Sequence, residues 1–144
     1  MPYIRIWIHI VWATKSRGRL ISKELKPKLL NHIRENAKEK SIYIKEINCE
    51  AEHVHALISL SSEQSIEKVL QLLKGESSFW INESKLTKMK FGWQDEYFAV
   101  SVSESHIKRV IEYIRTQEEH HRKKTYMEEC DEFLNKYGFE KFDK

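Results

Sequence analysis

Apolar and polar residues alternate from the start of the chain. Ile4, Ile6, Ile8, Ile10 and Trp12 fall on one side, and Tyr3, Arg5, Trp7 and His9 on the other. A period of two is the repeat of a β-strand, so Tyr3–Ala13 reads as a first strand with an isoleucine face for the core. The period then lengthens. Leu25, Leu29, Ile33 and Ala37 recur at helical spacing, and Ser22 is a suitable N-cap for a helix to about Lys40. Strands follow at about Ile42–Cys49 and His53–Leu60. Ser65 opens a second helix whose apolar face holds Ile66, Val69, Leu70 and Leu73, with Trp80 and Ile81 beyond. Tyr97–Val102 reads as a fourth strand. A third helix, capped by Ser103 or Ser105, runs from about His106 to Lys123, and a short terminal helix lies near Glu128–Lys136.

The order β-α-β-β-α-β followed by helices predicts an α+β fold of the ferredoxin-like (split βαβ, RNA-recognition-like) type. Its antiparallel sheet carries two helices on one face and leaves the other face open. No repeat, low-complexity tract or Pro/Gly-rich linker divides the chain, so residues 1–144 are expected to form a single domain.

Composition narrows the class. Cys49 and Cys130 are the two cysteines, far apart in sequence, which suits neither a disulfide framework nor a clustered zinc motif and predicts a cytoplasmic protein. The first apolar stretch contains Arg5 and His9 and is too short to span a bilayer, so neither a signal peptide nor membrane association is expected. The net charge of +3 conceals a division: the segment from Tyr126 carries −3, leaving +6 on residues 1–125. Basic residues gather in 15–28, 85–90 and 108–124. A positive body with an acidic tail suits a polyanionic partner, although solvated helix faces account equally for a modest excess.

Two local patterns carry chemistry. In His53-Val54-His55 the histidines are two apart, so on a strand they share a face at about 6.6–6.8 Å between backbones. Val54, Ala56, Ile58 and Leu60 take the opposite, core-facing parity. The imidazoles therefore point to the open face, where Trp7 and His9 join them if the register is regular. Two imidazoles are an incomplete coordination sphere, and a catalytic site needs a third ligand. The second pattern lies on the third helix. Beside its stripe of Ile107, Val110, Ile111 and Ile114 runs a line of His106, Arg109, Tyr113, Gln117 and His120. Tyr113 and Gln117, four apart, are neighbours on that face. Taken alone, Tyr113 is an edge-of-core tyrosine and Gln117 a surface glutamine. Taken with the histidines, they form a candidate centre. About one tyrosine in a thousand is phenolate at neutral pH, so a nucleophilic Tyr113 requires a proton acceptor or a cation nearby. A divalent ion on His53, His55 and Gln117 would polarise a phosphate held in line with Tyr113. The proton acceptor is open among His120, Glu118 and water.

These residues resemble a known family. Glu52-His53-Val54-His55-Ala56-Leu57-Ile58 is similar to the histidine–hydrophobic–histidine (HUH) strand of the single-tyrosine transposases encoded by small insertion sequences, relatives of the REP-associated tyrosine transposases. Tyr113-Ile114-Arg115-Thr116-Gln117 resembles their tyrosine helix. Further likeness lies in Val11–Lys15, Leu73–Gly75, Trp80–Asn82, Trp93-Gln94, Val100–Ser103 and Phe133–Gly138. Thr116 stands where asparagine is frequent, and Glu52 where aspartate is common; neither is a presumed ligand. The resemblance implies a metal-dependent transposase that cleaves and rejoins single-stranded DNA at hairpin-marked ends through a 5′-phosphotyrosine intermediate. It further implies Tyr113 as nucleophile, His53, His55 and Gln117 as metal ligands, and magnesium or manganese as the ion. It also implies a homodimer, with active sites shared between subunits as one arrangement. Two imidazoles by themselves favour zinc or copper.

A hairpin substrate needs phosphate neutralisation and stacking surfaces. Lys15, Arg17 and Arg19 after the first strand, and Lys85, Lys88 and Lys90 before the fourth, are the candidate DNA-binding residues; Trp80, Phe91 and Trp93 are candidates for stacking. The competing readings are a host-retained relative processing palindromic repeats, a non-catalytic RNA-recognition-like module binding through an open sheet face, and a ligand-binding regulatory domain.

Overall fold

The computed structural model describes residues 2–119 and 124–137. Its core is a four-stranded sheet of β1 (Trp7–Thr14), β2 (Tyr43–Cys49), β3 (His53–Ser59) and β4 (Trp93–Val102), in the order β2-β3-β1-β4. All three pairings are antiparallel, which is the expected ferredoxin-like arrangement. Helices α1 (Leu25–Glu39) and α2 (Ile66–Glu83) pack on one face.

The predicted periods account for that layer. Leu25, Leu29, Ile33 and Ala37 are the buried residues of α1. Ser22 Oγ accepts from Leu25 N at 3.1 Å, satisfying a donor that the first helical turn leaves open. In α2, Val69, Leu70, Leu73, Ser77 and Ile81 are buried, and Ser65 caps the helix by accepting from Lys68 N. These stripes meet Ile8, Ile10 and Trp12 of β1 and Val54, Ala56 and Ile58 of β3. Burial of each large aliphatic side chain contributes about 1.5–3 kcal/mol.

Several boundaries differ from the sequence pattern. The first strand begins at Trp7, not Tyr3; Ile4 and Ile6 continue the alternation but lie outside the ladder and are exposed. The fourth strand starts four residues earlier than expected, at Trp93, because Thr14 pairs with Trp93 across a bulge. The third helix, α3 (Ile107–Arg115), turns at Thr116 and residues 117–119 resume the helical path; its expected end near Lys123 lies outside the described residues. Neither Ser103 nor Ser105 accepts a backbone N–H as an α3 cap; both hydroxyls lie against the His106 ring. The last helix, α4 (Tyr126–Tyr137), begins two residues early.

The second sheet face is not open. Trp7 and Leu57 pack with Ile107 and Ile114 of α3, while Val11 and Ala13 pack with Tyr126 and Cys130 of α4. That cover places two polar helices over the strand carrying the histidine pair. No helix among the described residues is long and apolar enough to cross a membrane.

Candidate active site

Strand parity places the imidazoles. Val54 and Ala56 point to the α1/α2 core, so His53 and His55 emerge on the second face beneath α3 and α4, both fully buried. His9 joins them there: its Nε2 lies 2.9 Å from His55 Nδ1. Glu52 Oε1 lies 2.9 Å from His53 Nδ1, and Arg19 approaches the other Glu52 oxygen at 3.6 Å. A carboxylate is an acceptor only, so this contact puts the proton on Nδ1 of His53 and leaves Nε2 facing inward.

Tertiary contacts deliver α3 to the histidines. Asn48 of β2 donates from Nδ2 to Ile114 O at 2.8 Å, satisfying a carbonyl that the helix end leaves without a partner. Arg115 Nε pairs with Glu46 Oε2 at 2.7 Å. Thus pinned, α3 sets the half-buried Tyr113 beside His55 and His9, with ring centroids 5.6 and 6.1 Å away. After the turn at Thr116, Gln117 is buried at 1% exposure with Oε1 3.3 Å from His53 Nε2. Its Nε2 donates to Tyr113 O at 3.3 Å, spanning the four-residue spacing seen in the sequence. The four principal sequence candidates therefore meet in one place; His120 lies outside the described residues.

One side chain of the cluster escaped the sequence pattern. Glu129 of α4 is buried with its carboxylate 3.5 Å from His53 Nε2 and 3.2 Å from His55 Nε2, and it accepts a hydrogen bond from the Tyr113 hydroxyl. His53, His55 and Glu129 offer ligand atoms all within 4.8 Å of one another. The missed signal was local. Thr125 Oγ1 accepts from Glu128 N and donates to Glu128 Oε1, each at 3.2 Å, so Thr125 caps the helix that starts at Tyr126. From that start, Tyr126, Glu129 and Cys130 fall on one helical face, the face that meets the sheet. Tyr126 stacks on His53 at 4.4 Å and 22°, and the Arg17 guanidinium sits 5.7 Å above the Tyr126 ring.

The charges in this enclosure are strongly coupled. Burial drives the Glu129 carboxyl upward, but the hydrogen bond and charge of His55, helped by Tyr113 and His53, outweigh it and hold the group down to about 2. Burial first, and the adjacent Glu129 second, push the Tyr113 phenol well above its ordinary range. Burial and then His55 hold His9 down to about 3. The metal-free centre is thus a carboxylate, a neutral phenol and a neutral His9. The donor set of two imidazoles, a Gln amide oxygen and a carboxylate fits a divalent cation. Its two oxygens widen the choice beyond the zinc or copper favoured by imidazoles alone.

A family model described as "Transposase IS200 like" matches residues 3–117. The chain belongs to the IS200-like transposase family. The match includes the HUH strand and the tyrosine helix, ends at Gln117, and leaves Glu129 outside. The transposase is 25% identical over 114 residues to the ISDra2 transposase TnpA of Deinococcus radiodurans, covering 76% of this chain and 81% of that one. It is 29% identical over 90 residues to the transposase for insertion sequence element IS200 of Salmonella typhimurium, covering 62% of this chain and 59% of the relative. Its fold is similar to a crystal structure of a putative transposase from Deinococcus radiodurans R1, with a TM-score of 0.64, 21% identity, and coverage of 81% and 93% of the two chains. It is also similar to a REP-associated tyrosine transposase bound to a REP hairpin, with a TM-score of 0.61, 16% identity, and coverage of 84% and 72%.

In the transposase the two basic segments converge: Lys15 N donates to Gly92 O at 2.9 Å, joining the loop after β1 to the segment that enters β4. Lys15, Lys85, Lys88 and Lys90 are exposed there. Arg17 and Arg19 are instead partly engaged, by Tyr126 and Met127 of α4 and by Glu52 respectively. Of the stacking candidates, Phe91 is core at 2% exposure, Trp93 packs edge-on against Trp12 and Phe91, and Trp80 stacks on His32 at 3.9 Å. Aromatic spacing near an element boundary therefore reported packing.

Proposed function

We propose that this transposase cleaves and rejoins single-stranded DNA by transesterification at Tyr113, with a divalent cation, magnesium or manganese, held by His53, His55 and Gln117 and joined by Glu129. The observation that carries the reading is the convergence of the Tyr113 hydroxyl with both imidazoles, Gln117 and a carboxylate on one buried sheet face. Bound there, the ion would act as a Lewis acid on a phosphate oxygen. The Tyr113 oxygen would bond to phosphorus as the bond to the 3′ oxygen breaks. That leaves a 5′-phosphotyrosine and a 3′ hydroxyl, with the phenolic proton lost and one proton gained by the leaving oxygen. Glu129 already accepts the phenol's hydrogen bond and adds an oxygen donor beside the imidazoles. Glu52 and His9 orient the histidines: with both Nε2 atoms directed inward, the Nδ1 protons go to Glu52 Oε1 and His9 Nε2.

Hairpin DNA is proposed as the substrate because a REP hairpin is the ligand of one structural relative and because basic segments adjoin the His53 end of the site. The RNA-recognition-like alternative needs a bare sheet face, and this one is covered by α3 and α4. Since Tyr113 meets the histidines of its own chain, we place the site within one subunit. A homodimer would join through the edge strands, β2 or β4.

The test is incubation with a labelled single-stranded hairpin oligonucleotide and magnesium or manganese. A covalent adduct mapping to Tyr113 by mass spectrometry is expected, and chelator, Tyr113→Phe, or His53→Ala with His55→Ala should each abolish it. An adduct that survives in the Phe variant would overturn the assignment and turn attention to Tyr126, which stacks on His53. Mixing Tyr113→Phe with His53→Ala subunits should restore nothing; restored cleavage would place the tyrosine in trans.

A further inference from the structure

On the His53 side the centre is closed by Tyr126 and, above it, Arg17. The open side lies in the other direction. A cavity of about 660 Å³ begins at Tyr113 and His9 and runs along the N-terminal half of α3. This volume falls within the range of small-molecule pockets and accommodates a nucleotide-sized group. Its two walls differ in charge. Arg109 and His106 line one, from α3 and the turn before it; Glu129 and Glu132 of α4, followed by Lys136, line the other, which keeps a net negative charge.

Arg109 is the distinctive member. It lies four residues before Tyr113, about 6 Å along the helix axis and on the same face. It is exposed, and among the described residues its guanidinium has no hydrogen-bond or ion-pair partner. The other arginines near the site are engaged: Arg17 with α4, Arg19 with Glu52 and Arg115 with Glu46. A planar five-donor fork on the wall of a cleft that opens onto a nucleophile is matched to a phosphodiester. Glu129, beside Tyr113, and Glu132 outnumber Lys136 on the opposing wall, so the backbone is favoured on the Arg109 side and bases, with their exocyclic amino donors, on the α4 side.

We propose that this cleft binds the single-stranded DNA flanking the scissile phosphate, and that Arg109 holds the adjoining phosphodiester. The proposal deepens the assignment of Tyr113 as nucleophile and rests on it for the strand's position, but its test reads binding alone. Fluorescence anisotropy with a labelled single-stranded hairpin oligonucleotide carrying unpaired flanks would be measured in the Tyr113→Phe background, over a salt series with manganese present. Adding Arg109→Gln should weaken binding several-fold and reduce the slope of log affinity against log salt by about 0.7, the loss of one phosphate contact on a single strand. Arg109→Lys should recover most of the slope but not all of the affinity, since an ammonium lacks the fork. Lys108→Gln removes the same charge from an exposed neighbour outside the cleft and should leave the slope unchanged. Equal effects of Arg109→Gln and Lys108→Gln would overturn the cleft assignment, even if the wild type forms its Tyr113 adduct. An Arg109-specific loss without any adduct would retain the cleft and remove the nucleophile. No binding by the parent overturns both.

Discussion

Replacing Glu52 with Gln tests how the proposed metal centre is built without touching a proposed ligand. The Glu52 side chain is 8% exposed and accepts from His53 Nδ1 at 2.9 Å, holding the ring so that Nε2 faces Gln117 and Glu129. The amide preserves shape but removes the charge that raises the basicity of the imidazole. Substitutions behind a ligating histidine typically cost about 10–100-fold in metal affinity. With manganese at 100 times the wild-type dissociation constant, binding stabilises the wild type by about 2.7 kcal/mol. A 10-fold weaker site would gain about 1.4 kcal/mol and a 100-fold weaker one about 0.4 kcal/mol. At roughly 4 °C per kcal/mol for a domain of this size, Tm should rise by about 11 °C in the wild type and by about 2–6 °C in Glu52→Gln. The assay is thermal denaturation with and without manganese, with His53→Ala as the variant that shows no specific shift. An undiminished shift in Glu52→Gln, at matched metal concentration, would refute the claim that Glu52 orients a ligating His53.

Three other outcomes are expected. Glu129→Ala should weaken manganese binding tenfold or more by titration calorimetry; tighter binding would show that the carboxylate merely occupies the ion's place. His9 titrates at about 3 against an ordinary 6.5 because burial, then His55, disfavours its cation. The unfolded chain therefore binds a proton that the fold excludes. The metal-free protein should lose stability as pH falls from 6.5 toward about 3, by up to about 1.4 kcal/mol per unit from this residue. Denaturant unfolding of His9→Gln should show a flatter dependence over that window, and an unchanged slope would remove His9 as its source. Trp12, fully buried and edge-on to Trp93 at 6.0 Å, should cost about 3–5 kcal/mol when replaced by Ala, read as a lower urea midpoint at constant slope. A loss below about 1 kcal/mol would mean that the α1/α2 core is not packed as described.

Local periodicity made much of this protein legible. The stripe Leu25-Leu29-Ile33-Ala37 is the buried face of α1, and the parity of Val54, Ala56 and Ile58 places His53 and His55 on the other side of the sheet. The Tyr113–Gln117 spacing survives the turn at Thr116. Where patterns failed, a non-local partner was the reason. Ile4 and Ile6 alternate correctly yet stay exposed before the start of β1, even though Ile6 O accepts from Leu60 N, and α3 turns at Thr116 directly after the residues that Asn48 and Glu46 of β2 hold.

By itself, the sequence determined the order of elements, the face on which each apolar stripe lies, and the spacing within the His53–His55 and Tyr113–Gln117 pairs. All are set by side-chain period and by neighbours within a few residues. Only the tertiary structure decided that the histidine face is covered, that Tyr113 and Gln117 reach the imidazoles of their own chain, and that Glu129 completes the cluster. Glu129 lies 74 residues beyond His55. No repeat along the chain encodes which sheet face a late helix covers. That choice is made by the apolar contacts of Tyr126 and Cys130 with Val11 and Ala13, and by a carboxylate whose desolvation is offset only where two imidazoles and a phenol surround it.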